Sequence, residues 1–167
     1  WQEFSCPPPQ DFLSVLKTLA DYPLRLGLTG AAGCGKTTLT LALKALGVPV
    51  FCADTLVAQA YAPGGDGAAI IEHYFGKKFI QDQGGVNTQA LYMAMAQSAR
   101  MRQEVESLIH PLVQAALEDF FKIKDTQLLV ADIPLLYEAG LAQHFDLAAV
   151  IFCPQDIRHQ RLAARGW

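Results

Sequence analysis

Hydrophobic residues along the chain form four short, nearly continuous runs. The runs are LRLGLT (24–29), VPVFCA (48–53), QLLVADI (127–133) and LAAVIFC (147–153). Such runs are typical of strands that a parallel sheet buries on both faces. Residues 37–46 are predicted to form a helix between the first two runs. Strands that alternate with helices indicate an α/β fold with a parallel sheet and right-handed crossovers.

Two further segments have helical character. Residues 11–20 carry apolar residues at helical spacing, so we interpret 1–22 as an N-terminal leader, helix or linker and 23–167 as the main domain. Residues from about 54 to 124 are predicted to be a helical insertion. Because ligands of α/β folds bind at the carboxyl ends of the strands, an insertion there is placed to cover a second substrate.

Composition and charge narrow the classes of function. A chain of 167 residues with 51% hydrophobic residues is large enough to fill one hydrophobic core. Its formal charge is −3 and its basic residues do not form a continuous patch, which argues against a nucleic-acid partner. The sequence has no long uncharged apolar run and no export signal, so we expect no membrane partner and a cytoplasmic protein. Four scattered cysteines predict free thiols. The first residue, Trp1, and the abrupt end at Trp167 suggest a fragment or incomplete ends.

The first predicted strand runs directly into a glycine-rich segment. This segment matches the phosphate-loop pattern GxxxxGK[ST] at every fixed position, and its residues are Gly30-Ala31-Ala32-Gly33-Cys34-Gly35-Lys36-Thr37. Glycines let backbone N–H groups turn inward around an anion, Lys36 reaches the β- and γ-phosphates, and the Thr37 hydroxyl ligates Mg²⁺. A glycine-rich turn with a chance lysine is the alternative. The strand before the loop and the helix after it favour a site for a nucleoside triphosphate.

Two carboxylates follow predicted strands on the side of the sheet where the loop lies. Asp54 ends the second strand, where a carboxylate is positioned to accept a proton from an attacking hydroxyl. Asp132 ends the third strand and resembles an acid that orients Mg²⁺. Both residues have structural alternatives, since Asp54 would also serve as a helix cap and Asp132 would also simply close a strand. No NKxD motif is present, so a GTPase of the common type is disfavoured.

Several longer stretches together resemble the dephospho-CoA kinase family. They are LGLTGAAGCGKTT (26–38), LGVPVFCADTLVAQAYAPG (46–64), HYFG (73–76), LIHPLV (108–113), LLVADIPLLYEAG (128–140) and FDLAAVIFCPQDIRHQRLAARG (145–166). The resemblance implies transfer of the γ-phosphate of ATP to the 3′-hydroxyl of the small molecule dephospho-CoA, with Mg²⁺ as cofactor. It also implies a P-loop fold with a helical acceptor-binding insertion. The C-terminal part of the family fold, which includes most of a lid, would lie beyond this chain.

The resemblance also assigns roles to individual residues. The implied ATP-phosphate site is Gly33, Cys34, Gly35, Lys36, Thr37 and Thr38. Asp54 is the implied base, and the implied acceptor side comprises Asp54, His110, Pro134, Leu135 and Glu138. Arg161 and Arg165 match catalytic arginines at the start of the lid, about 161–167. The alternatives are that His110 and Pro111 only fix a helix kink, that Glu138 lies in a surface turn, and that the arginines occupy a solvated helix face.

Two departures from the family pattern keep other functions open. Cys52 replaces the first Asp of an Asp-Ala-Asp signature, and Asn87-Thr88 stands where an Asp-Arg pair is usual. Arg100 or Arg102 is a candidate to replace the missing cation. The alternatives are therefore a nucleotide-binding module with weak or lost kinase activity, and a nucleoside or nucleotide kinase.

Overall fold

A computed structural model describes residues 23–164 and residue 166. The predictions made for residues 1–22 and for Arg165 lie outside these described residues. The chain divides into two compact units. The sheet unit is Trp1–Val50 with Phe121–Trp167, and the helical unit is Phe51–Phe120.

Four strands form one sheet, in the order β2-β3-β1-β4. They are β1 Leu24–Thr29, β2 Val50–Cys52, β3 Leu128–Asp132 and β4 Leu147–Val150. Strand β1 pairs in parallel with β3 on one side and with β4 on the other. The predicted parallel α/β fold is therefore confirmed, with the strand that precedes the glycine-rich loop inside the sheet.

Two strands, β2 and β4, are each three residues shorter than their hydrophobic runs, which extend over 48–53 and 147–153. Before β2, Pro49 has no N–H to donate, although its carbonyl accepts a hydrogen bond from the Val130 N–H at 3.1 Å. After β4, the Ile151 N–H donates to the Thr29 carbonyl at 2.8 Å, at the last residue of β1. The chain then leaves the sheet, because β1 offers no further backbone to pair with.

The described residues form six α-helices. They are α1 Lys36–Ala45, α2 Ala53–Ala60, α3 Asp66–Phe75, α4 Thr88–Gln97, α5 Ala99–Phe120 and α6 Gln155–Ala163. Single 3₁₀ turns lie at Lys77–Phe79 and Ala142–His144. The predicted helix over 37–46 corresponds to α1. No helix in the described part of the chain is long and apolar enough to cross a membrane.

The core of the sheet unit is centred on β1 and β3. Leu129, Val130 and Ala131 are completely buried, and Leu28 is nearly so. Gly27 is needed for this packing, since a Cβ there would lie 2.9 Å from a methyl group of Leu136. The middle of the sheet is thus a rigid support for the loop that follows β1.

The helical unit has its own core around the long helix α5. Val105, Ile109, Val113 and Leu117 are buried and recur every four residues, which gives α5 a single apolar face. Each helix from α2 to α5 contributes at least one buried residue. The residues of the predicted insertion are thus largely helical, and its role in binding the acceptor stays a prediction.

Candidate nucleotide-binding site

The glycine-rich loop connects β1 to α1 through three glycines with positive φ. Their φ angles are 144° at Gly30, 82° at Gly33 and 100° at Gly35, the last of which is the N-cap of α1. Residues with a Cβ rarely adopt these angles, so the glycines are required for the tight turn. Successive N–H groups in such a turn, together with the positive end of a helix, form an anion-binding site.

Lys36 is the first residue of α1, and its ammonium folds back over the loop. Its Nζ donates to the Gly30 carbonyl at 2.5 Å and to the Ala31 carbonyl at 3.4 Å. Thr37 and Thr38 follow in the first turn of α1 with exposed side chains. The loop thus brings a cation and two hydroxyl groups to the same helix N-terminus.

Helix α6 packs against the outside of the loop at Gly33. Arg161 Nη1 donates to the Gly33 carbonyl at 3.2 Å. A Cβ at Gly33 would lie 3.1 Å from Cγ of Arg158 and 3.2 Å from Cγ of Leu162. The structure therefore places Arg161 at the loop, while its catalytic role stays a prediction.

Arg158 also contacts the loop, a position that was not predicted from the sequence. Its Nε is buried and has no hydrogen-bond partner within the described residues. The signal in the sequence was the i, i+3 spacing of Arg158 and Arg161, which places two side chains on one face of a helix. The loop therefore has two arginines beside it on α6.

The thiols of Cys34 and Cys153 lie close together at the loop. Cys34 is buried, with 7% of its surface exposed, and Cys153 Sγ lies 3.8 Å from the Gly33 carbonyl oxygen. Burial raises the pKa of Cys153, and a hydrogen bond with the Cys34 thiol raises it further. The nearby charges of Arg161 and Arg158 oppose this rise.

Asp132 is the last residue of β3 and lies at the loop end of the sheet. It pairs in register with Leu28, two residues before Gly30, and only 7% of its surface is exposed. The Thr29 hydroxyl donates to the Pro134 carbonyl at 2.8 Å and so ties the end of β1 to the segment after β3. Carboxylate and hydroxyl oxygens are ligands that suit Mg²⁺, so Asp132 and Thr37 fit the metal that the loop motif implies.

The segment after β3 turns sharply and exposes several of its side chains. Leu136 is completely buried, whereas Leu135 is 57% exposed and Tyr137 is 58% exposed. Glu138 is also exposed, and the turn is closed by the Ala139 N–H, which donates to the Leu135 carbonyl at 2.9 Å. Leu136 thus anchors a turn whose other side chains are available to a ligand.

In the helical unit, Asp54 lies in the first turn of α2, and its side chain is exposed. The expectation that Asp54 ends the second strand is wrong, because β2 ends at Cys52 and α2 begins at Ala53. The alternative of a helix cap is also wrong, since the N-cap residue is Cys52. A carboxylate in a first helical turn is favoured by the helix dipole.

His110 lies in the middle of α5, directly before Pro111, and its side chain is exposed. Proline has no N–H, so Pro111 leaves the Ser107 carbonyl without its usual helical partner. The His110 side chain is therefore accessible to a ligand, and it lies next to a position where the helix lacks one backbone hydrogen bond.

Comparison with known proteins identifies the family of this chain. The family model for dephospho-CoA kinase matches residues 24–166. The chain belongs to the dephospho-CoA kinase family. A dephospho-CoA kinase of Paramagnetospirillum magneticum is 38% identical over 143 residues, which are 84% of this chain and 66% of that protein. A dephospho-CoA kinase of Brucella melitensis is 36% identical over 144 residues, which are 84% of this chain and 70% of that protein. The chain thus spans about two thirds of the length of these relatives.

Solved structures agree with this assignment. TT1252 from Thermus thermophilus has a TM-score of 0.76 at 26% identity, over 86% of this chain and 73% of that one. The dephospho-CoA kinase from Campylobacter jejuni has a TM-score of 0.58 at 14% identity, over 85% of this chain and 95% of that one. At this identity the likeness supports the fold alone. The predicted family and P-loop kinase fold are confirmed.

The structure describes Asn87, which departs from the dephospho-CoA kinase pattern, and Arg100, a candidate for the missing cation. Asn87 is the N-cap of α4, and its Oδ1 accepts a hydrogen bond from the Ala90 N–H at 3.1 Å. Arg100 forms an exposed ion pair with Glu104 at 2.8 Å. Such surface pairs contribute little stability, so Arg100 loses little if it turns to a ligand instead. That it replaces the missing family cation stays a prediction.

Proposed function

We propose that this chain transfers the γ-phosphate of ATP to the 3′-hydroxyl of dephospho-CoA, which gives coenzyme A and ADP. The observation that carries the proposal is the phosphate loop at the end of β1, in a chain that matches the dephospho-CoA kinase family over residues 24–166. We also propose a cytoplasmic location, because the described cysteines, Cys34, Cys52 and Cys153, are free thiols.

The loop and helix α6 supply the positive charge that phosphoryl transfer requires. Charge develops on the oxygens of the transferred group, and cations that are already in position stabilise it. Lys36 would leave the Gly30 and Ala31 carbonyls and bind the β- and γ-phosphates. Arg161 is already held at the Gly33 carbonyl, and Arg158 has a buried N–H group available beside it. We assign Arg165 to the same group of cations from its sequence position.

Mg²⁺ is part of the proposal. Thr37 and Asp132 would hold the ion, with phosphate oxygens and water as its remaining ligands. When bound, Mg²⁺ neutralises charge on the phosphates and aligns the leaving group. Mg²⁺ commonly takes only one or two protein carboxylates, which agrees with a single acid at the end of β3.

The acceptor hydroxyl requires a base and a surface that orients it. We propose that a carboxylate oxygen of Asp54 accepts the proton of the 3′-hydroxyl as the phosphate is transferred. His110, Pro134, Leu135 and Glu138 would line the acceptor side, and three of them present exposed side chains. The comparisons give no support to the alternative functions, which are a nucleotide-binding module and a nucleoside or nucleotide kinase.

The test measures MgATP-dependent release of ADP with dephospho-CoA, AMP and adenosine as separate acceptors. The proposal expects turnover with dephospho-CoA and a rate at least 10²-fold lower with the other two, as expected when the groups that bind the rest of the acceptor have nothing to contact. Preference for AMP would identify a nucleotide kinase. No ADP release with any acceptor, in protein that still binds ATP, would identify a binding module.

The control variant is Lys44→Ala. Lys44 is an exposed basic residue in the last turn of α1, the helix that begins with Lys36. Removing this charge should leave turnover within a few-fold of the parent, whereas Lys36→Ala should abolish it.

A further inference from the structure

The thiols of Cys34 and Cys153 form a pair at the phosphate loop. Cys34 belongs to the loop itself, and Cys153 lies in the connection between β4 and α6. Cys153 Sγ is 3.8 Å from the carbonyl oxygen of Gly33, the residue that precedes Cys34 in the chain. The two thiols are also close enough to share a hydrogen bond. Both belong to the sheet unit, and neither is bonded to another cysteine.

The segments that carry the two cysteines are joined by hydrogen bonds. The Ile151 N–H donates to the Thr29 carbonyl at 2.8 Å, directly before the loop begins. In the middle of the loop, Arg161 of α6 is hydrogen-bonded to the Gly33 carbonyl. Cys34 directly follows Gly33, and Cys153 lies between Ile151 and Arg161, so these contacts keep the two cysteines near one another.

We propose that Cys34 and Cys153 are a redox modification site, at which a peroxide joins them in a disulfide that ties the phosphate loop to the β4–α6 connection. This inference goes beyond the proposed kinase activity, since formation of the bond does not depend on any substrate. Its effect on nucleotide binding does rest on the proposed function.

The reaction has two steps that balance with one molecule of hydrogen peroxide. Cys153 is half-buried and Cys34 is buried, so peroxide reaches Cys153 first. At mildly alkaline pH Cys153 loses its proton and its thiolate attacks one peroxide oxygen; an S–O bond forms as the O–O bond breaks, and the released hydroxide takes up a proton to become water. The Cys34 sulfur then attacks the sulfenic acid of Cys153, which forms the S–S bond and releases a second water. Two thiols are oxidised by two electrons, and one peroxide is reduced.

The disulfide should weaken the phosphate site. Formation of an S–S bond draws Cys34 toward Cys153 and shifts the backbone N–H groups beside it. Loss of one charge-assisted hydrogen bond to phosphate corresponds to about a tenfold increase in the Kd for ATP. Reduction should restore the original affinity.

The test uses the full chain with Cys6→Ser and Cys52→Ser, which leaves only Cys34 and Cys153 of its four cysteines. The protein is treated with hydrogen peroxide at mildly alkaline pH and then denatured for thiol titration and mass analysis. The proposal expects loss of both thiols, a mass lower by two hydrogen atoms, a peptide that links the two cysteines, and full reversal by dithiothreitol. The matched control adds Cys153→Ser, and it should form no link.

Three outcomes would overturn the proposal. The first is that both thiols remain titratable, and the second is a mass gain from sulfinic acids without a linked peptide. The third is a disulfide between two chains. If the link forms but ATP affinity is unchanged, the predicted weakening of the phosphate site is wrong. If the reduced parent does not bind ATP at all, the failure belongs to the proposed function and not to the thiol pair.

Discussion

Replacement of Gly30 by alanine tests whether the loop depends on its first glycine. Gly30 has a φ of 144°, and an added Cβ would lie 2.4 Å from the Ile151 carbonyl oxygen and 3.2 Å from the Ile151 nitrogen. Both atoms belong to the backbone and cannot turn away as a flexible side chain would. The Ile151 nitrogen is itself held by its hydrogen bond to the Thr29 carbonyl.

The expected cost of Gly30→Ala has two parts. A backbone angle that only glycine adopts readily costs about 1–3 kcal/mol. Overpacking against a fixed backbone adds about 1–3 kcal/mol. We therefore expect a loss of about 2–6 kcal/mol in the free energy of unfolding. With a urea m-value of about 2 kcal/mol/M, a loss of 3 kcal/mol lowers the midpoint by about 1.5 M.

Gly47 provides a matched control in the same unit. It has a positive φ of 81°, yet an added Cβ would meet nothing within 4 Å. Gly47→Ala should therefore cost only the backbone strain, about 1–2 kcal/mol. Urea unfolding of both variants, followed by circular dichroism, measures the difference. Equal midpoints for the two variants would refute the contact between Gly30 and the segment after β4.

The remaining predictions concern single side chains. Lys36→Ala should abolish phosphate transfer in the ADP-release assay, and near-normal turnover would rule out its role at the phosphates. Asp54→Asn should keep the ATP affinity but lower kcat by roughly 10²- to 10⁴-fold, the usual effect of losing a positioned base; a change of only a few-fold would leave Asp54 without a catalytic role. Asn87→Ala should lower unfolding stability by about 1 kcal/mol through loss of the cap of α4, whereas Gln89→Ala, an exposed change nearby, should have little effect.

The sheet and the phosphate loop were predictable because local signals agreed with the fold. The runs that became β1 and β3 were predicted to within one residue, since buried strands require continuous apolar residues. The loop was predictable because its glycines, lysine and threonine have fixed roles at fixed spacing. Strand ends were less predictable, since the end of β4 depends on where its partner β1 ends.

The surroundings of the loop could not be predicted from local pattern. Arg158 and Cys153 reach Gly33 only because β4 pairs with β1 and α6 follows directly, which is a long-range consequence of strand order. The role of Asn87 as a helix cap was not predicted for another reason. Asparagine is favoured both at helix N-caps and in turns, so its residue type alone does not mark the start of α4.

The most direct test of the proposed activity follows the phosphate itself. ATP labelled at the γ-phosphate is mixed with dephospho-CoA, Mg²⁺ and the full chain, and the products are separated by chromatography. We expect label in a product identical to coenzyme A, attached at the 3′ position, and no such product from Lys36→Ala. Label that is found only in inorganic phosphate, or that stays in ATP while the protein binds it, would rule out the proposed transfer.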